Sequence, residues 1–216
     1  MAGFGLALGG PWPFASYRAA AAPPGPSPQP APYPLSPADQ QLLSQVEAYL
    51  NGIGSLTANF LQVAPNGSTR TGKVWLQRPG KMRFQYDPPD PQLLVAGFGS
   101  LVYHDPDLRQ TTNIPLSSTP LGILLAPEVH LTGAATVTDL RRDPGEIAIT
   151  LIRTGKAAQG SLTLVFGTDP LALRQWRVVD PQNQETRVSL YDLAPGGPFP
   201  DSLFRYQGHA AAPSGG

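Results

Sequence analysis

Hydrophobic residues recur every three to four positions directly after a cluster of helix-starting residues. Ser36, Pro37 and Asp39 supply an N-cap, a proline at the first helical position and an acid in the first turn. The apolar stripe that follows consists of Leu42, Leu43, Val46, Tyr49 and Leu50. Gly52 then ends the stripe, so the pattern predicts one long amphipathic helix at the start of the folded domain.

After this helix the hydrophobic period changes to two, the period of a strand with one buried face. Residues 56–60 alternate in this way, an Asn66-Gly67 turn follows, and a strand over residues 69–78 returns before residues 82–86 alternate again. Further strands are predicted over residues 92–96, 100–104, 108–112, 136–142, 146–153, 160–167, 171–179 and 185–193. Short strands joined by short turns predict one meandering antiparallel sheet.

A second helix is predicted between Thr119 and Pro127, where Thr119 would cap, Pro120 would start and Pro127 would stop about two turns of apolar helix. A helix this short is stable only where its apolar residues cover a surface. The chain is thus predicted to form a strongly curved sheet with both helices across its concave face.

The ends of the chain differ in composition from its middle. Ten of the 26 prolines lie at or before residue 37, and the first residues resemble an export signal without a positively charged beginning. We therefore predict a signal remnant and a Pro/Ala-rich disordered tether over residues 1–35, a folded domain over residues 36–208 and a disordered tail over residues 209–216.

Charge and cysteine content exclude several classes of protein. Fifteen basic and fifteen acidic residues give a net charge of zero, so no broad attraction to nucleic acid or to anionic lipid is expected. The absence of cysteine excludes disulfides, thiolate metal sites, a thiol nucleophile and a lipidated N-terminal cysteine. No run of 18 apolar residues predicts a membrane-spanning helix.

Catalytic chemistry finds no support in the sequence, because none of the common nucleophile, phosphate-binding, zinc or dinucleotide motifs occurs. His104 lies near Asp105 and Asp107, but Asp105-Pro106-Asp107 is typical of a hairpin turn rather than a metal or acid/base site. We therefore predict no catalytic residues, no metal, no cofactor and no enzymatic activity.

One arginine stands out beside an alternating apolar strand. Met82, Phe84 and Tyr86 share a face, and Arg78 precedes them by an even number of residues, so it can project the same way. The guanidinium has five donors and no acceptor, which makes the bare carbonyls at the end of a short helix a natural target. The alternative is an exposed arginine beside the Pro79-Gly80 turn.

From about Ala38 to Tyr206 the chain resembles the periplasmic outer-membrane lipoprotein carriers, the LolA-like proteins. The resemblance rests on the opening helix and on these segments in order: 56–60, Gly72–Leu76, Arg78-Pro79 with Met82, Phe84 and Tyr86, Thr119–Leu121, Trp176–Val178 and Phe204–Tyr206. Gly122 departs from the family's bulkier lid helix, which raises a question about the stability of the lid.

The resemblance implies an incomplete antiparallel β-barrel, or half-barrel, with helices forming a lid over its concave face. It implies that Arg78 is a latch which bonds to the lid and holds the empty carrier closed. The hypothesis for the hydrophobic cavity beneath the lid names Phe60, Trp75, Met82, Phe84, Tyr86, Leu121, Ile123, Leu124 and Trp176. A solid core would predict the same pattern of residues.

The function implied by the resemblance is that of a periplasmic, monomeric carrier. It would bind the acyl chains of lipoproteins and shuttle them from an inner-membrane lipoprotein-releasing transporter to an outer-membrane acceptor. Two alternatives stay open: a carrier of other lipids or glycolipids, and an envelope-stress-sensing module that binds lipoproteins.

Overall fold

The computed structural model describes residues 30–206 and contains two helices packed on one sheet of eleven strands. The helices are α1 (Pro37–Gly52) and α2 (Leu121–Leu124). The strands are β1 (Ser55–Val63), β2 (Thr69–Gln77), β3 (Lys81–Tyr86), β4 (Leu93–Gly97), β5 (Ser100–Asp105), β6 (Gln110–Pro115), β7 (Ala135–Asp143), β8 (Glu146–Arg153), β9 (Ser161–Thr168), β10 (Leu171–Val179) and β11 (Glu185–Pro195). Short 3₁₀ turns cover Leu116–Ser118, Ala157–Gln159 and Asp201–Phe204.

The sheet is open and entirely antiparallel, with the order β6-β5-β4-β3-β2-β1-β11-β10-β9-β8-β7. Two meanders, β1 to β6 and β7 to β11, are joined where β1 pairs with β11. Because β6 and β7 form the two edges and do not pair with each other, the curved sheet is a half-barrel. Both helices pack on its concave face in one hydrophobic core, so the predicted fold class is confirmed.

Helix α1 begins as its sequence predicts. The backbone N–H of Asp39 donates to Oγ of Ser36 over 3.2 Å, and the N–H of Ser36 donates to the Asp39 carboxylate over 2.9 Å, which completes a capping box. Leu43, Val46 and Leu50 are buried against the sheet. The helix thus enters the core by its predicted apolar stripe.

The predicted strand over residues 108–112 lies too early, because β6 spans Gln110–Pro115. The Asp105 carboxylate accepts the backbone N–H groups of Asp107 and Leu108, each over 3.1 Å, and holds the residues just before β6 in a turn. This geometry confirms that Asp105-Pro106-Asp107 is a hairpin turn.

The second helix is shorter than predicted, with one turn over Leu121–Leu124 instead of two. Thr119 does not cap it. The Thr119 hydroxyl donates instead to the carbonyl of Leu116 over 2.9 Å, which closes the 3₁₀ turn that precedes α2. Residues 116–124 therefore contain two tight single turns in series.

Residues 1–29 and 207–216 lie outside the described residues, and with them most of the predicted tether, the last two residues of the predicted domain and the predicted tail. Within residues 30–35 the backbone N–H of Tyr33 donates to the carbonyl of Val137 on edge strand β7 over 2.8 Å, and Tyr33 and Leu35 pack against the core. The domain boundaries stay predictions. Between residues 30 and 206, no helix is long and apolar enough to cross a membrane.

Candidate functional site

A cluster of aromatic rings occupies the centre of the concave face. The ring of Phe84 lies with its centroid 4.7 Å from Phe60, 6.0 Å from Trp176 and 6.5 Å from Tyr86. Three strands contribute, since β1, β3 and β10 converge here. Eight of the nine predicted cavity residues are buried in this one core: Phe60, Met82, Phe84, Tyr86, Leu121, Ile123, Leu124 and Trp176.

The ninth residue, Trp75, lies on the opposite face of the sheet, so its assignment to the cavity is wrong. Phe84 on β3 pairs with Val74, and this register directs Val74 and Leu76 inward. Trp75 is partly exposed on the convex face, where the ammonium of Lys73 lies 5.4 Å from its ring centroid. Val74, Trp75 and Leu76 are all apolar, so the sequence does not show which of them point inward. The pairing with β3 does.

The lid segment, which we define as residues 116–131, closes the concave side. Besides the three predicted α2 residues, it buries four apolar side chains that the sequence reading did not single out: Leu116, Leu125, Val129 and Leu131. The segment is therefore apolar along most of its length and covers the centre of the half-barrel.

Two polar side chains of α1 bind the last part of the lid segment. Asn51 accepts the backbone N–H of Val129 over 2.8 Å and donates to its carbonyl over 3.0 Å. Glu47 accepts the N–H of Leu131 over 2.6 Å. Because both groups of Val129 are satisfied by one amide, this end of the lid is fixed to α1.

Arg78 contacts the lid only indirectly. Its Nη1 donates to Oδ1 of Asn51 over 3.3 Å, the same oxygen that accepts the N–H of Val129. The predicted target was a carbonyl at the end of the short helix. The Leu125 carbonyl there accepts instead the backbone N–H of Gly80, over 2.9 Å. Burial lowers the pKa of the Arg78 guanidinium from its ordinary value, and its Nε is buried without a partner.

A second arginine near the lid was missed by the sequence reading. Arg153 at the end of β8 donates from Nε to the carbonyl of Thr119 over 3.3 Å. Its position is in phase with Ile147, Ile149 and Leu151, which all point to the concave face. This alternation was the available signal, because a charged residue at an inward position needs a partner.

An apolar groove stays open beside α2, although side chains fill the centre of the concave face. Its volume is about 430 Å³, within the range of ligand pockets, about 300–1,000 Å³. Apolar residues of β3, β4, β5, β6, β10, β11 and the lid form its walls: Phe84, Leu94, Leu101, Ile114, Pro120, Leu121, Trp176, Val178 and Val188. The interior is thus neither an empty hollow nor a completely closed core.

Tyr86 provides a test of how dry the concave face is. Burial raises the pKa of Tyr86 to about 12, although its hydroxyl also donates to Oε1 of Gln62 over 2.9 Å. A raised folded-state pKa adds stability that is complete below the unfolded value of about 10 and is lost as the pH rises through about 12. We expect the wild-type protein to lose about 2–3 kcal/mol of unfolding free energy, relative to Tyr86→Phe, across this range.

Urea titrations of both proteins between about pH 8 and 12 measure this difference, with the phenylalanine variant removing only the ionisable group. Parallel stability profiles would show that Tyr86 ionises in contact with water. Tyr103→Phe, at the partly exposed tyrosine of β5, serves as a second comparison with a smaller expected effect.

In the part of the chain that the structure describes, no three His, Asp or Glu side chains come together to form a metal site. Nδ1 of His104 instead lies 2.9 Å from Thr111 Oγ1 and 2.9 Å from the hydroxyl of Tyr206. Its neighbours are thus polar groups of a strand pair and the C-terminal segment.

A family model and curated relatives identify the family to which this sequence is similar. The family described as "Outer membrane lipoprotein carrier protein LolA" matches residues 51–207. An outer-membrane lipoprotein carrier protein of Methylococcus capsulatus is 30% identical over 181 residues, covering 79% of this chain and 86% of the relative. One of Chromohalobacter salexigens is 27% identical over 172 residues, covering 76% and 81%. A solved LolA superfamily protein of Nitrosomonas europaea shares 10% identity with a TM-score of 0.42, covering 76% of this chain and 97% of that chain.

Proposed function

The chain belongs to the LolA family of outer membrane lipoprotein carrier proteins, and on this basis we propose that it carries the acyl chains of lipoproteins through the periplasm from the inner to the outer membrane. The family consists of carriers rather than enzymes. We propose an inner-membrane lipoprotein-releasing transporter as the donor and an outer-membrane protein as the acceptor. The carrier is proposed to work as a monomer.

The physical task requires a covered apolar surface. Exposing one acyl chain of about 15 methylenes to water costs on the order of 12 kcal/mol, at roughly 0.8 kcal/mol per methylene. The observation that supports the proposal best is the apolar groove between α2 and the concave sheet. It places apolar walls next to a segment that few hydrogen bonds hold down, so an acyl chain can replace the lid's own apolar contacts.

The lid must move when a lipoprotein with several acyl chains binds. Side chains of the lid segment fill the centre of the concave face, and Leu124, Leu125, Val129 and Leu131 are almost completely buried there. The groove of about 430 Å³ is at the lower end of the range for drug-sized ligands. We infer that the groove admits the first chain and that displacement of the lid makes room for the others.

The direct test is retention of a fluorescent fatty-acyl probe by the purified full chain and its displacement by a synthetic triacylated lipopeptide. The proposal expects both binding and displacement. Mass spectrometry of lipids that copurify with the protein distinguishes lipoprotein cargo from other lipids or glycolipids. Failure to bind the acyl probe, or displacement by glycolipid but not by lipopeptide, would contradict the proposed cargo.

Arg78 is proposed as a latch that favours the closed, empty carrier. A hydrogen bond from a charged group contributes about 1.5–3 kcal/mol, and the bond to Asn51 connects Arg78 to the part of the lid that binds α1. Arg78→Leu should weaken the closed state, so that the loaded carrier releases its cargo to an acceptor about tenfold more slowly. A transfer assay from loaded carrier to acceptor vesicles or acceptor protein measures this rate.

A matched control for this latch is Arg141→Leu, which removes an exposed arginine paired with Asp139 at the end of β7, away from the lid. Its transfer rate should equal that of the wild-type protein. Equal release rates for Arg78→Leu and Arg141→Leu would rule out the latch while leaving the carrier function itself untouched.

A further inference from the structure

The middle of the lid, which contains α2, is held by different contacts from its ends. The N–H of Leu116 donates to the carbonyl of Gly99 over 2.9 Å, and Asn51 and Glu47 bind Val129 and Leu131. Between these anchors α2 has no side-chain cap of its own. A single-turn helix gains too little from its own hydrogen bonds to stay folded without outside contacts.

Arg153 provides one of these contacts. Its Nε donates to the Thr119 carbonyl, which also accepts the N–H of Gly122 over 3.2 Å. One guanidinium therefore binds the oxygen around which the first turn of α2 is built. Burial lowers the pKa of Arg153 from its ordinary value, in keeping with its place between the sheet and the lid.

Gly122 makes room for this guanidinium. A β-carbon at position 122 would collide with Nη2 of Arg153 and would lie 2.6 Å from the carbonyl oxygen of Leu116. The glycine is thus the residue that allows Arg153 to lie against the helix. Gly122 therefore does not simply weaken the lid, because the packing of a larger side chain is replaced by a contact with Arg153.

Arg78 and Arg153 act on separate parts of the lid. Arg78 reaches the Val129 region through Asn51 on α1, whereas Arg153 reaches Thr119 from β8. The two arginines extend from opposite halves of the sheet, since Arg78 directly follows β2, Arg153 ends β8, and these strands belong to different meanders. Each contact can therefore break while the other persists.

We propose that Arg153, lying against Gly122, is a positioning residue that holds α2 closed over the concave face independently of Arg78. This inference rests on the proposed carrier function, because it assigns to Arg153 the control of the lid beside the acyl groove. Release of the Thr119 carbonyl frees the first turn of α2 to move, while α1 keeps the far end of the lid in place and Gly99 keeps the near end at Leu116. This turn then moves outward between the Leu116 anchor and the Gly80–Leu125 hydrogen bond.

Hydrogen exchange of the full chain without cargo tests the inference, with mass spectrometry of peptides that separate residues 119–126 from residues 129–131. Arg153→Leu should raise the exchange of the α2 amides about tenfold and leave that of Val129 and Leu131 unchanged. Arg78→Leu should give the reverse pattern. Arg153→Lys, which keeps the charge but loses the planar guanidinium, should recover only part of the protection.

Gly122→Ala provides a second variant that leaves Arg153 in the chain. Its methyl group displaces the guanidinium and also crowds the Leu116 carbonyl, so α2 should exchange faster here too, and Arg153→Leu should add less to this variant than it does to the wild-type protein. Unchanged α2 exchange in Arg153→Leu, or an equal increase at residues 119–126 and 129–131, would overturn the inference. Since exchange is measured without lipid, a failure of the wild-type protein to bind acyl chains would count against the carrier function and not against the role of Arg153.

Discussion

Phe84→Ala is expected to lower the free energy of unfolding by about 3–5 kcal/mol, as for a fully buried aromatic ring. The ring is 1% exposed and contacts the rings of Phe60, Tyr86 and Trp176. β3 is paired on both sides, with β2 and with β4, so the backbone cannot collapse into the space that the ring leaves. Urea titration followed by circular dichroism measures the change.

Trp75→Ala is the matched control for this truncation, because it removes a large aromatic ring from the neighbouring strand but from the convex face. The expected loss is about 1 kcal/mol, as for a partly exposed position. A loss for Trp75→Ala equal to that for Phe84→Ala would contradict the assignment of the two faces. Acyl-probe binding should also be unchanged in the Trp75 variant.

Ile114→Asp is expected to weaken binding of the fatty-acyl probe by about tenfold to a hundredfold with little change in stability. Ile114 lies in the groove wall on edge strand β6, and 41% of it is exposed, so the folded state tolerates a polar side chain there. A carboxylate in the wall must lose water when an acyl chain binds, and each 1.4 kcal/mol of that cost is a factor of ten in affinity. Fluorescence titration with the probe measures the affinity.

Leu108→Asp makes the same kind of change on the same hairpin, outside the groove. Leu108 is 71% exposed at the turn between β5 and β6. Its variant should bind the probe with wild-type affinity, while its added charge matches that of Ile114→Asp. If both variants lose affinity equally, the effect is one of net charge and the groove is not the binding surface.

Most of the fold was predictable because local signals and global packing agree. The N-cap at Ser36, the period of three to four in α1 and the period of two in the strands each matched an element of the structure. Two elements differed from the prediction. α2 has one turn instead of two, and β6 was displaced because the Asp105 carboxylate extends the turn before it by hydrogen bonds to two backbone N–H groups. Such a turn cannot be distinguished from a strand start by hydrophobic period alone.

The candidate site was predictable where alternation was unambiguous and unpredictable where it depended on distant partners. Phe84 and Tyr86 alternate with polar residues, whereas Trp75 lies between Val74 and Leu76, so its face depends on the register with β3. Thr119 and Arg153 are 34 residues apart, and Asn51 and Val129 are 78 apart. No local pattern connects such pairs, so the contacts that hold the lid required the structure.

The lid is held by a large apolar area and by a small number of hydrogen bonds, so it can be stable when closed and still open for cargo. Seven apolar residues of the lid segment are buried. Its polar attachments are one hydrogen bond each with Gly99, Gly80, Arg153 and Glu47 and two with Asn51. An acyl chain can replace the apolar burial that the lid loses on opening, because the hydrophobic effect depends on area and not on direction. The hydrogen bonds then determine when the lid opens.

The most direct test of lid opening uses the absence of cysteine from the chain. Lys81→Cys on β3 and Ala126→Cys after α2 place two thiols along one cleft between the sheet and the lid, next to the Gly80–Leu125 hydrogen bond. A short bismaleimide then ties the lid shut, and each single-cysteine variant treated with the same reagent is the control. We predict that the bridged protein loses uptake of triacylated lipopeptide while both controls keep it; full uptake by the bridged protein would contradict a carrier that opens by moving its lid.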